Sequence, residues 1–438
     1  MKIKTMIPAR TSNPMRRILS IRNFRLLFAG TSLSVLGDQF ALIATPWLAL
    51  ALTGDALTLG IVLALEGLPR AAFLLVGGAV TDRLSPRRMM VIADGARLAM
   101  VMTMAIAVLT GSIDPWMLYA FSLGLGIAAG MALPAERSIV PTLLSKTDLQ
   151  AGNALIMGMM HIAGFVGPSL AGIMIGTSGG TASGVGTALV IDAASFAASL
   201  LCLILIRGQN DARLSTKAPR ESVLDSIHTA WRHVWRDPAL RLMFLLLAAI
   251  NFLMIGPLLV GIPLLASTRL PEGVVAYGML MSAFSGGNLM GFVAAGALPW
   301  PGALVIRIMV IGLLAGFGIV VGCLGLPTST LTLMALLFVL GAGNGYLAIL
   351  LVTWLQTRTP EHMLGRVMSF LLLANTGLIP ASQALSGAIG QWNLDALFAG
   401  AGVLSLAVTL WAATRQHFTL FTTSLAANAA HNLKKERP

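Results

Sequence analysis

Charge is scarce in this sequence. Asp, Glu, Lys and Arg make up 11% of its 438 residues, against about a quarter in a soluble globular chain. So few charges leave too little polar surface to cover a water-facing fold of this size. Cysteine is scarcer: Cys202 and Cys323 both sit inside apolar runs. No disulfide framework and no metal-ligand spacing follow, so no metal is expected. No phosphate loop closes on Gly-Lys-Ser/Thr, which excludes ATP hydrolysis as an energy source. There is no strand-to-helix nucleophile elbow. No enzyme chemistry and no cofactor are expected. The first 22 residues are basic and lack an apolar h-region, so the first apolar run is expected to act as an uncleaved signal anchor.

Apolar residues fill the gap. They make up 56% of the chain, and mean hydropathy is +0.84. Apolar stretches near the ~20 residues that cross a bilayer recur along most of the sequence. Twelve spans are expected, at about 24–52, 57–80, 88–110, 114–135, 149–177, 182–206, 240–267, 273–298, 303–325, 328–353, 362–390 and 393–415. The fold class is an all-α membrane protein with twelve transmembrane helices in two pseudo-symmetric six-helix bundles. The expected domains are an N-terminal segment 1–23, a bundle 24–206, a linker 207–239, a bundle 240–415 and a tail 416–438. The tail is expected to be disordered from about Thr423. In the linker, Val223, Leu224, Ile227, Trp231, Val234 and Trp235 recur at helical spacing among basic residues. That pattern suits an amphipathic helix on the lipid surface.

Orientation follows from Lys and Arg. Of the 29, all but Arg70 and Arg97 (inside spans) and Arg269 fall on one side. This positive-inside pattern puts both termini in the cytoplasm. It also accounts for the net charge of +12 without nucleic acid.

Two halves are related by a weak internal repeat. FRLLF around Leu26 matches LRLMF around Leu242, Gly60 matches Gly278, and DLQAGNA from Asp148 matches EHMLGRV from Glu361. Parallel repeats of this kind build transporters with a substrate site between the halves.

Gly77 to Arg88, GGAVTDRLSPRR, joins the second and third spans as a tight hairpin. Gly77 and Gly78 suit close helix packing. Asp82 suits a helix N-terminus, where a carboxylate gains ~0.3–1 kcal/mol. Arg83, Arg87 and Arg88 serve either as gate residues or as topology anchors. With GDQFALIATPWLALALTG (37–54), the Asp94-x-x-Arg97 pair, LPAERSIVPTLLSKTDLQAGNAL (133–155) and GFVGPSLAG (164–172), the hairpin resembles the major facilitator superfamily. The likeness spans the whole chain and is nearest to exporters of the macrolide-efflux and enterobactin-exporter branch. One departure stands out: Ser85-Pro86 replaces the second glycine of the loop motif. The second half has lost that motif, with Trp300-Pro301 in place of Asp82-Arg83.

The resemblance implies a cytoplasmic gate of Gly78, Asp82, Arg83, Arg87, Arg88, Asp94, Arg97 and Glu136. Asp82 would meet the start of the eleventh span near Met363–Arg366, and Arg83 would pair with Glu136 or Asp94. GFVGPSLAG resembles the superfamily's antiporter signature, with Gly164, Gly167, Pro168 and Gly172 as a hinge and packing face. It implies secondary export of a small amphiphilic compound, such as a drug or siderophore. Uptake, lipid translocation and a transporter-like sensor stand as alternatives.

Charges inside a bilayer cost at least ~2.5–3.5 kcal/mol and therefore mark function. Asp38 and Glu66 are the proton-coupling candidates, since a carboxylate in a poorly solvated cavity can bind and release a proton as access alternates. Two bland readings stand beside them: a structural Asp38, and an i, i+4 pair of Glu66 with Arg70. Asp94 and Arg97 brace the gate. Asp192 is an isolated acid expected to be capped by Ser195. Gln39, Arg70, His161, Asn251, Asn288, Asn344 and Asn375 are the substrate-cavity candidates, with Gln383 as a further neutral polar group. Expected partners are the substrate, protons and membrane lipids. The expected form is a monomer in a bacterial inner membrane.

Overall fold

The structure is a computed structural model and describes residues 14–207, 231–232, 234–326, 329–359 and 361–435. Among them there is no strand. In lipid every backbone polar group must be paired within the chain, and apolar runs of this length satisfy that only as helices. After the short α1 (Pro14–Ser20) come α2 (Arg22–Thr53), α3 (Ala56–Leu84), α4 (Pro86–Leu109), α5 (Pro115–Leu143), α6 (Leu149–Thr177) and α7 (Ala182–Leu205). The second series is α8 (Pro238–Thr268), α9 (Val274–Ala297), α10 (Ala303–Cys323), α11 (Thr330–Arg358), α12 (Glu361–Thr376), α13 (Ile379–Trp392), α14 (Leu394–Ala413) and α15 (Gln416–Lys435).

Eleven of these helices are long and apolar enough to cross a membrane. The run expected at 362–390 is instead two helices, of 16 and 14 residues. Pro380 explains the break. Its ring would clash with the carbonyl of Thr376 and it has no N–H to give; α12 ends at Thr376. In α8 the turn Asn251–Ile255 is π-helical. It directly precedes Gly256-Pro257, so the wider turn absorbs the missing donor.

Two further expectations are corrected. α5 runs past 135 to Leu143 and carries Glu136 inside the helix. The tail expected to be disordered from Thr423 is helical to Lys435, and Phe418, Phe421 and Leu425 are buried. They pack with Trp354 and Leu350 in one core. The amphipathic segment of the linker lies mostly outside the described residues; at its end Trp231 stacks on Trp235 with ring centroids 3.8 Å apart.

Helices α2–α7 pack on one another, as do α8–α15. The two groups meet along α3 with α13 and α6 with α9. Their cores reveal the overall shape. At the end carrying the chain termini, each bundle has its own core, around Phe24, Met89 and Ile139 in the first and around Phe244, Trp354 and Phe421 in the second. At the far end one core runs through both, from Ile43 and Leu59 to Val274 and Leu397. Among the described residues, one core joins the bundles at the far end and each bundle keeps a core of its own at the termini end.

Candidate substrate and coupling site

The joint depends on two glycine crossings. A Cβ on Gly278 would lie 2.3 Å from the Pro168 carbonyl oxygen, and one on Gly60 would lie 2.6 Å from that of Gln383. Neither approach admits a side chain. Three hydrogen bonds cross the same boundary. The Tyr277 hydroxyl donates to the Leu42 carbonyl at 3.1 Å. Ser169 N–H donates to Ser282 Oγ at 2.9 Å, and Ala56 N–H to Gln391 Oε1 at 2.8 Å.

Above this joint lies a cavity of about 260 Å³ between the bundles. Leu42, Pro46, Glu66, Arg70 and Arg137 line it from the first bundle, and Tyr277, Thr376 and Gln383 from the second. Among the described residues its charges, Glu66, Arg70 and Arg137, come from the first bundle. The Arg70 guanidinium donates to Glu66 Oε1, so these two form the i, i+4 pair. Asp38 is exposed at mid-helix in α2. It lies one turn from Leu42, on the face that continues through Leu42 and Pro46 into the cavity.

Behind the cavity, Arg97 is buried in α4. Its guanidinium stands 4.0 Å from Asp94 and 3.7 Å from Glu136, and 5.6 Å from the centre of the Phe196 ring. Ser199 Oγ donates to Asp94 Oδ2 at 2.7 Å. Asp94, Arg97 and Glu136 therefore come together as one charged group. The side chains of Asp82 and Arg83, and of most residues opening α12, lie outside the described residues. Arg87 is engaged within its own bundle, donating to the Leu203 and Ile204 carbonyls at 2.8 Å each. Those are end carbonyls of α7, where a cation is favoured. Arg88 is exposed. The packing role falls to Gly77, whose Cβ would lie 2.7 Å from Met131 Cα. Gly78, expected to share it, has open space there.

The glycine-rich motif of α6 divides between two neighbours. Gly172 and Pro168 face α9, while Gly167 packs on Gln39 of α2. Gly164 is only loosely placed, with Ser285 at 3.8 Å. His161 stacks against Phe292, ring centroids 4.3 Å apart. The asparagines pair: Asn251 donates to Asn375 at 3.2 Å and Asn344 to Asn288 at 2.8 Å. Asn251, Asn344 and Asn375 line a second cavity, also of about 260 Å³, inside the second bundle. Gln39, His161 and Asn288 line neither cavity.

Against this geometry, the sequence profile of the Major Facilitator Superfamily matches residues 27–382. The chain belongs to the major facilitator superfamily. It is a transporter of that group, not an enzyme. The multidrug efflux pump Tap of Mycolicibacterium fortuitum is 25% identical to it over 366 residues, covering 82% of this chain and 86% of the pump. The enterobactin exporter EntS of Shigella boydii is 26% identical over 395 residues, covering 88% and 90%. Among solved structures, a POT family transporter in complex with 5-aminolevulinic acid superposes with a TM-score of 0.69 at 14% identity, covering 93% of this chain and 96% of that one. A bacterial homologue of the lysosomal transporter Spinster gives 0.63 at 12%, covering 98% and 99%. Both show the fold alone.

Two features of this facilitator escape a reading by sequence. Asp192 in α7 is 1% exposed, and among the described residues its Oδ1 has no hydrogen-bond partner. Ser195 Oγ also donates to the Asp192 backbone carbonyl at 2.7 Å. Tyr277 and Gln391 at the far-end joint carry no motif; a tyrosine or glutamine in an apolar helix reads as packing. At the termini end, Arg17 of α1 pairs with Asp148, the residue before α6. The Ser145 hydroxyl and the Arg17 guanidinium hold that carboxyl below the usual carboxylate range.

Proposed function

We propose that this transporter exports a small amphiphilic compound, of drug or siderophore type, in exchange for inward-moving protons. The observation that carries the reading is Asp38. It is an accessible carboxylate at mid-helix, on the α2 face that continues into the inter-bundle cavity. A carboxylate placed there can be reached from one side in one state and from the other side in the next. Glu66, already neutralised by Arg70, is the second coupling group: protonating it releases Arg70 into the cavity. Cores that are joined at the far end and separate at the termini end support alternating access. The Lys and Arg bias supports assigning the termini end to the cytoplasm of a bacterial inner membrane. The bundles at 24–206 and 240–415 act as the two rocking bodies of a monomer in contact with membrane lipids. Export is supported by relatives that are named an efflux pump and an exporter.

The test is a panel of lipophilic drugs and siderophores in a host lacking its own efflux pumps. Expression of the chain lowers accumulation of at least one compound and raises resistance to it. Raised accumulation would show uptake instead. Saturable binding without movement in vesicles would show a sensor.

A further inference from the structure

The second cavity differs from the first in kind. Among the described residues, no charged one lines it. Its apolar walls are Leu, Ile, Met, Val, Ala and Phe side chains from α8, α9, α10 and α11, and Phe421 of α15 closes on it from the termini end. Along α8 the lining runs from Met243 to Leu258 as an unbroken helical stripe, a reach of about 20 Å at 1.5 Å per residue. The cavity is therefore slender, and larger than the ~150 Å³ that takes a benzene ring in a well-packed protein. Three asparagines interrupt the apolar lining, and their bonding is one-sided. Asn251 Nδ2 is used by Leu247 O and Asn375 Oδ1, Asn375 Nδ2 by Leu371 O, and Asn344 Nδ2 by Asn288 Oδ1. Among the described residues, Oδ1 of Asn251 and of Asn344 accepts no hydrogen bond. Asn251 also opens the π turn, a distortion that recurs where helices serve a site.

From this we infer that the interior of the second bundle is a binding site for an uncharged, slender amphiphile with a hydrogen-bond donor, of the class of long-chain alcohols and fatty amides. The apolar chain lies along the α8 stripe, and its O–H or N–H donates to Asn251 or Asn344. Charged ligands are rejected, because no described lining residue compensates a charge. The site is distinct from the inter-bundle cavity and does not depend on proton exchange there.

The test is photolabelling of the full chain in lipid nanodiscs with a decanol derivative bearing a diazirine, read by peptide mass spectrometry. Saturable labelling is expected on the inward faces of Val310–Phe317 and Asn344–Leu351. Excess decanol suppresses it; decanoate does not. Ala348→Phe or Leu313→Trp, filling the cavity from two walls, each lowers the saturable label about tenfold or more, as an overpacked site excludes its ligand. Should either filler fail to fold, Asn251→Leu with Asn344→Leu lowers labelling by the alcohol several-fold and leaves a hydroxyl-free alkyl diazirine unaffected, the loss expected for one hydrogen bond. The inference is overturned if labelling is not saturable, if decanoate competes as well as decanol, or if properly folded fillers label like the wild type. Loss of the label in Glu66→Gln with Arg70→Gln, and not in the fillers, would place the ligand between the bundles and likewise overturn it.

Discussion

The Tyr277 hydroxyl donates to the Leu42 carbonyl across the two bundles, and that carbonyl is available because of Pro46. Four residues on, Pro46 has no N–H to return to Leu42. The helix leaves an orphan acceptor, and the other bundle satisfies it. Tyr277 is fully buried and its bond is part-buried, so Tyr277→Phe leaves the Leu42 carbonyl unpaired at the joint, at about 1–3 kcal/mol. The joined far end should lose roughly a factor of ten in population. Spin labels at the far ends of α6 and α9 should show a longer distance component. An unchanged distribution would mean that Tyr277 does not hold the joint.

Gly278 tests the joint without a hydrogen bond. Gly278→Ala puts a methyl group 2.3 Å from the Pro168 carbonyl oxygen, which α6 and α9 can relieve only by separating. Overpacking of this kind costs about 1–3 kcal/mol. Transport should fall several-fold and the far end should open. Gly158→Ala, where the added Cβ meets nothing, is the control and should transport normally. Equal rates in both variants would contradict the glycine crossing.

Arg97 balances Asp94 and Glu136 inside the first bundle. Arg97→Met leaves the buried Asp94 uncompensated, a loss of about 3–5 kcal/mol for a buried pair broken on one side. Thermal unfolding in detergent should show a large drop. Adding Asp94→Asn should restore most of it. A double variant as unstable as the single would show that Arg97 acts by shape and not by charge.

Ser85 alone separates α3 from α4, at φ +77°. A residue with a Cβ is strained there by about 1–3 kcal/mol, and Ser85 belongs to the Ser85-Pro86 pair that, with one extra residue, stands in place of a glycine of the motif the hairpin resembles. Ser85→Gly should therefore stabilise the chain by about 1 kcal/mol, part of the gain being offset by chain entropy. Ser85→Val should lower the unfolding temperature. A fall in Ser85→Gly would contradict the strain.

Much of this was legible beforehand. Apolar length gave the helices, since the ~20 residues that cross a bilayer follow from its thickness. The i, i+4 spacing of Glu66 and Arg70 gave their pair. The break at Gly377–Leu378 was not legible: Pro46 and Pro168 sit inside unbroken helices, so Pro380 alone did not mark it, and hydropathy ran straight across it. α15 was hidden by its polar face: among its described side chains the buried apolar ones are Phe418, Phe421 and Leu425, and a stripe that narrow in a terminal segment reads as a tail. The asparagines share a polar label, yet packing sends Asn251, Asn344 and Asn375 into one bundle and leaves Gln39 against Gly167. Such partition depends on which helix face meets which neighbour, and that is a property of the assembled bundle.

Proton exchange at Asp38 and Glu66 is tested most directly in proteoliposomes of the purified chain under an imposed pH gradient, with a compound from the accumulation panel as probe. The wild type should move the probe against its gradient while protons flow the other way. Asp38→Asn should abolish gradient-driven movement and retain downhill exchange, and Glu66→Gln should weaken the coupling. Gradient-driven transport that survives in both variants would contradict the assignment.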